Sequence, residues 1–316
     1  MIRKSSRWFI LALVSLSGSL GPLSAYAGEM SYSLEPFFQE IEISGGELSQ
    51  EVTVILRNNT DSDATFRVSM KDFGSLDESG GVAFLGGGSD FGEKYGLASW
   101  MHSDIEQFTV PSRDSQSVPV RISDRETLPA GGHYGAVLFE LLGVGENADE
   151  SQVSVRSSFA SLIFINKVGG EIRGMTHTDT FVLETDIAGV PDKVSVRFRN
   201  DGNTHLVPRG RIFVEDPFGR VVREGVLNAD SGRMLPESQR IFSVALKPIH
   251  RALFPGTYTI GVEYRYDGND GALSAPLLRV FPLRLMMLWV VVMVGIPFVS
   301  IAMYRRIGRK GEYETK

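Results

Sequence analysis

The chain has 316 residues, 34 of them glycine and none cysteine, with a formal charge of −6. Without cysteine there is no disulfide framework, no thiolate metal site and no thiol to carry a lipid anchor, so any exported domain must rest on core packing. The two ends carry a net positive charge, which leaves residues 28–280 with a charge of −13, a poor match for nucleic acid.

Taken in order, Met1 to Ala27 opens with Arg3, Lys4 and Arg7, continues through the apolar run WFILALVSL and closes on Ala25-Tyr26-Ala27. That is the layout of a secretory signal peptide with a small-x-small cleavage site. From residue 28 to 280 short alternating or β-branched runs recur, among them EVTVILRN, SVPVRIS, KVSVRFRN and TYTIGVEYRY, each bounded by turn residues. The expected fold class is all-β: two tandem immunoglobulin-like β-sandwiches, residues 28–170 and 171–280, followed by a single C-terminal transmembrane α-helix.

An internal repeat supports two copies of one sandwich. VTVILRNNT (Val52 to Thr60), VPSRDSQSVPVRI (Val110 to Ile122) and LPAGGHYGAVLFEL (Leu128 to Leu141) recur in order as VSVRFRNDGNT (Val194 to Thr204), LPESQRIFSVAL (Leu235 to Leu246) and FPGTYTIGVEY (Phe254 to Tyr264). Val52, Val54 and Leu56, like Val194, Val196 and Phe198, are expected to face a core, and Asn58 and Asn200 to open turns by bonding nearby backbone. Tyr134 and Tyr258 sit where a corner tyrosine can pin a sandwich edge. The boundary is expected near Lys167 to Met175, where Gly169 and Gly170 can bend the chain.

One stretch, residues 72–101, departs from the repeat. It holds eight glycines, the acids Asp72, Asp77, Glu78, Asp90 and Glu93, and the aromatics Phe73, Phe84, Phe91, Tyr95 and Trp100. Long irregular loops on a rigid scaffold are common binding elements, and aromatic faces beside carboxylates suit sugars. Phe84, Phe91, Tyr95, Trp100 and Asp90 are therefore the candidate ligand-binding residues; the alternative is that the aromatics plug the sandwich edge. A second acidic loop, Gly145 to Ser151, reads as an exposed hairpin tip.

After the second sandwich, Leu285 to Met303 carries no charged side chain, a run suited to crossing a hydrocarbon core of about 30 Å. Arg305, Arg306, Arg309 and Lys310 follow it, so the expected topology is single-pass type I in the cytoplasmic membrane, with a transmembrane helix at 281–304, a basic cytoplasmic tail at 305–316 and the sandwiches outside.

Little suggests catalysis. The five histidines are scattered singly, no G-x-S-x-G elbow occurs, and Gly86-Gly87-Gly88-Ser89-Asp90 lacks the lysine end of a phosphate loop. No enzyme activity, cofactor or metal is expected.

The opening YSLEP (Tyr32 to Pro36), the strand ending RNNT, Trp100 before a Pro-led strand, LPAGGHYGAV, the later RNDGNTHLVPRGRIFVEDPFG and FPGTY, and the terminal helix with its basic tail together resemble bacterial WxL-interacting cell-surface proteins. The resemblance implies peptidoglycan binding by the first domain and contact with a partner surface protein by the second, around Asn203 to Gly219. More weakly, the first domain resembles periplasmic pilus chaperones. The expected function is a membrane-anchored envelope protein that binds cell-wall glycan or a secreted or surface protein; the alternative is an anchored, chaperone-like assembly factor that captures a partner by β-strand addition.

Overall fold

The computed structural model describes residues 31–43, 49–85, 88–123, 128–145, 157–280 and 283–311. The expected signal peptide, the acidic loop beyond Gly145 and the last five residues lie outside them.

The first domain runs β1 (Tyr32–Glu35), β2 (Phe38–Ile43), β3 (Ser49–Asn58), β4 (Ala64–Ser75), β5 (Val82–Phe84), α1 (Asp90–Tyr95), a 3-10 turn at Ala98–Trp100, β6 (Met101–His102), β7 (Gln107–Val110), β8 (Ser115–Ser123), β9 (Gly131–Val144) and β10 (Ser158–Lys167). The second runs β11 (Met175–Thr185), β12 (Pro191–Asn200), β13 (Arg209–Glu215), β14 (Val221–Leu227), β15 (Gln239–Ala245), β16 (Lys247–Pro248), β17 (Gly256–Tyr266) and β18 (Asn269–Val280), and α2 (Leu283–Gly311) follows.

Each domain is two packed sheets. In the first, β1-β3-β8-β6 faces β2-β10-β9-β4-β5, with β7 also on β4; in the second, β11-β12-β15 faces β16-β14-β13-β17-β18. The period-two pattern sets the register. Val52 and Val54 lie opposite Val120 and Val118, as Val194 and Val196 lie opposite Val244 and Phe242, and all eight are buried. The all-β, sandwich-like expectation therefore holds.

The repeat extends to a shared turn device. Asn58 Nδ2 donates to the Ser62 and Val110 carbonyls while its Oδ1 accepts from Thr60 N–H. Asn200 makes the equivalent bonds to the Thr204 and Met234 carbonyls and from Gly202 N–H. Both asparagines are fully buried, so each ties the end of its strand to the turn that enters the neighbouring one. Tyr258 donates to the Phe254 carbonyl at 2.8 Å, pinning its own corner. Tyr134 does not; its hydroxyl points into the other domain.

α2 differs from expectation. Among the described residues no helix is long and apolar enough to cross a membrane. The transmembrane helix, and with it the single-pass localisation in the cytoplasmic membrane, is corrected accordingly.

Candidate functional site

Sheet edges are where a β-sandwich offers unpaired backbone. β10 pairs with β9 along its whole length, Ser158 opposite Glu140 through Lys167 opposite Gly131. On its other side β2 runs parallel to it, but only from Leu162 opposite Phe38 to Lys167 opposite Ile43. Among the described residues no strand flanks Ser158–Ser161 on that side. Strand parity fixes which groups face the gap. Leu162 N–H donates toward β2, to the Phe37 carbonyl at 3.0 Å, so the N–H and carbonyl of Ala160 and Ser158 point the same way. At the closed end of the lane, Ser161 Oγ holds the Pro36 carbonyl at 2.7 Å. Beneath the edge, the Tyr32 and Phe159 rings meet edge to face at 5.6 Å.

The glycine-rich stretch 72–101 does a different job from a free loop. Asp72 accepts the N–H groups of Leu97 and Ala98, both at 2.7 Å, and Ser89 caps α1 by accepting Gly92 N–H. Tyr95 is buried and Phe91 half-buried, their rings 4.9 Å apart, and they pack with Phe73, Tyr134, Leu162 and Phe164 against Leu235 of the second domain. Tyr95 Oη and Lys94 Nζ both donate to Glu237, across the same junction. Trp100 lies elsewhere, against the first core and 6.0 Å from the His133 ring. Phe84 stands exposed on β5 and Asp90 opens α1. Of the five candidate residues the structure brings together only Phe91 and Tyr95, in a domain junction.

That junction carries residues the sequence did not single out. His205, only 5% exposed, shares a hydrogen bond between its Nε2 and Glu40 at 2.8 Å, and Arg233 donates to the same carboxylate at 2.7 Å. The Arg233 guanidinium also sits 4.4 Å from the centre of the Phe38 ring. The His205 hydrogen bond, then the Arg233 contacts, outweigh partial burial and hold Glu40 down to about 2. Burial pushes the Tyr134 hydroxyl well above the usual phenol range. The linker is stitched as well: Glu171 accepts Gly169 and Gly170 N–H, and Asn203 Nδ2 donates to the Ala130 and Gly170 carbonyls. Side-chain and backbone bonds therefore tie the two sandwiches together across the junction.

No family model and no curated protein matches the chain. Solved structures similar to it include the class 5 fimbriae chaperone CfaA, at 11% identity and a TM-score of 0.41 over 78% of this chain and 99% of that one. The YadV chaperone follows at 10% and 0.39 over 78% and 100%, and the E. coli chaperone DraB at 12% and 0.36 over 78% and 98%. The likeness is distant, and no function is read from it.

These findings correct the resemblance to WxL-interacting proteins, and the peptidoglycan binding it implied. No family model or curated protein supports it. Its motifs have local structural roles here: RNNT and RNDGNT are the buried-asparagine turns, FPGTY is the Tyr258 corner, and Trp100, partly buried, packs against the first core. Among the described residues no group of three or more His, Cys, Asp or Glu is placed to hold a metal ion.

Proposed function

We propose that this chain is a chaperone-like assembly factor that captures an extended segment of a partner protein by β-strand addition beside β10. The observation that carries the reading is the direction of the Ala160 and Ser158 backbone groups, which face a lane vacated by β2 and bounded at one end by Pro36 and Phe37. Main-chain bonds to that edge supply affinity, and alternate side chains of the incoming strand supply selectivity. A partner residue pointing inward beside Phe159 meets the Tyr32 and Phe159 rings, so the preferred partner strand has an apolar residue there.

Ala160→Pro tests it. Proline removes the N–H that faces the lane while leaving the β9 ladder bonds of Phe159 and Ser161 in place. In affinity purification from the native host, the wild-type chain is expected to retain one stable protein partner that the folded Ala160→Pro chain loses. Should that variant fail to fold, Ser158→Pro, at the first residue of the strand, serves instead. Retention of the same partner by either folded variant contradicts the proposal.

A further inference from the structure

β15 has a second incompletely used edge. It pairs with β12 on one side; on the other, Ile241 N–H donates to the carbonyl of Glu78 at 2.8 Å. Glu78 belongs to the tip of the β4–β5 hairpin, which reaches across from the first domain. Its carboxylate also accepts from Arg197 Nε at 3.0 Å. Two residues on, Gly80 takes φ +89° and lies against the Arg240 guanidinium so closely that a Cβ would stand 2.2 Å from its central carbon. Among the described residues Arg240 has no carboxylate partner; Nη1 donates to the Arg233 carbonyl, and Nε is buried without a bond. The tip thus makes a backbone bond and a glycine contact on the β15 edge, and a carboxylate–guanidinium bond to Arg197 of the neighbouring β12.

It covers one end only. By strand parity the N–H and carbonyl of Ser243 point the same way as Ile241 N–H. They face a groove of about 690 Å³ that begins at Ser79, continues past Ser243 and Ala245, and is walled opposite by Gly225 and Val226 of β14.

We propose that the β15 edge is a docking surface for an extended peptide carrying a carboxylate followed by glycines, and that the β4–β5 tip is its resident occupant, seated in cis. A visiting segment of this chemistry replaces the tip at Ile241 and continues along Ser243. The proposal stands apart from the β10 reading, since it concerns another sheet and another domain.

The test replaces Leu76–Gly81 with the dipeptide Asn-Gly, which closes the hairpin as a two-residue turn from Ser75 and Val82. A synthetic peptide of residues 75–82 is then added. Because the tethered tip acts at an effective concentration in the millimolar range, the peptide is used at millimolar concentration. Amide exchange at Ile241 is expected to rise at least tenfold in the shortened chain, with Phe242, whose N–H points to β12, unchanged. The peptide is expected to restore protection at Ile241 and to shift the Ser243 amide resonance. Unchanged exchange at Ile241 overturns the seating. Faster exchange with no response to the peptide overturns the docking surface. If the shortened chain does not fold, full-length Glu78→Ala is expected to accelerate Ile241 exchange, and its failure to do so overturns the proposal equally.

Discussion

Asn200→Ala is expected to be among the more costly polar substitutions in this molecule. The side chain is fully buried, donates to the Thr204 carbonyl at 2.8 Å and the Met234 carbonyl at 3.0 Å, and accepts from Gly202 N–H at 2.9 Å. The Met234 carbonyl also accepts from Leu206 N–H, so it keeps a partner. Gly202 N–H and the Thr204 carbonyl do not, and each buried group left unbonded costs about 1–3 kcal/mol. Allowing for partial relaxation, the loss is about 2–4 kcal/mol. The sibling substitution Asn58→Ala acts on a turn in which the Val110 carbonyl is the one buried partner and the Ser62, Pro111 and Thr60 groups are partly buried, where water can replace the amide, and about 1–2 kcal/mol is expected. Urea unfolding of both variants, followed by tryptophan fluorescence and circular dichroism, measures the difference. A loss below about 1 kcal/mol for Asn200→Ala, or a larger loss for Asn58→Ala, would refute the reasoning from buried partners.

Two further outcomes are expected. Glu40 is held near 2 against an ordinary 4.5, so its pairing contributes fully above about pH 4.5 and is lost as pH falls toward 2. The carboxylate is 46% exposed, so solvent screening reduces the effect to about 1 kcal/mol; Glu40→Gln should destabilise the chain at pH 6 and match the wild type near pH 2, and a constant difference across that range would contradict the assignment. Phe164→Ala empties the centre of the junction, where that ring touches Phe38, Phe73, Tyr134 and His205. A loss of about 3–5 kcal/mol is expected in calorimetry, with the two sandwiches melting separately.

The sandwiches were legible because their signals are local. A period of two in Val52–Leu56 and Val194–Phe198, and an asparagine at each strand end, specify which face is buried and where the chain turns. The junction was not legible, since Glu40 and His205 lie 165 residues apart and nothing in either local stretch points to the other. Phe91 and Tyr95 showed as aromatics in an unusual stretch, but a ring suited to a sugar and a ring suited to a domain junction look alike in sequence. Only the placement of Leu235 and Glu237 opposite them decides. The C-terminal run was readable as apolar, whereas among the described residues no helix is long and apolar enough to cross a membrane. The β10 edge is hidden for another reason: it depends on where β2 stops pairing, a register fact that Ser158–Ser161 does not encode.

The central claim is tested most directly at one amide. In the free chain Ala160 N–H faces a lane that no described strand fills and is expected to exchange rapidly, while Phe159 and Ser161, bonded to β9, are protected. In the copurified complex Ala160 should become protected by at least a hundredfold, with Phe159 and Ser161 little changed. An Ala160 amide that exchanges as fast in the complex as in the free chain would contradict strand capture at β10.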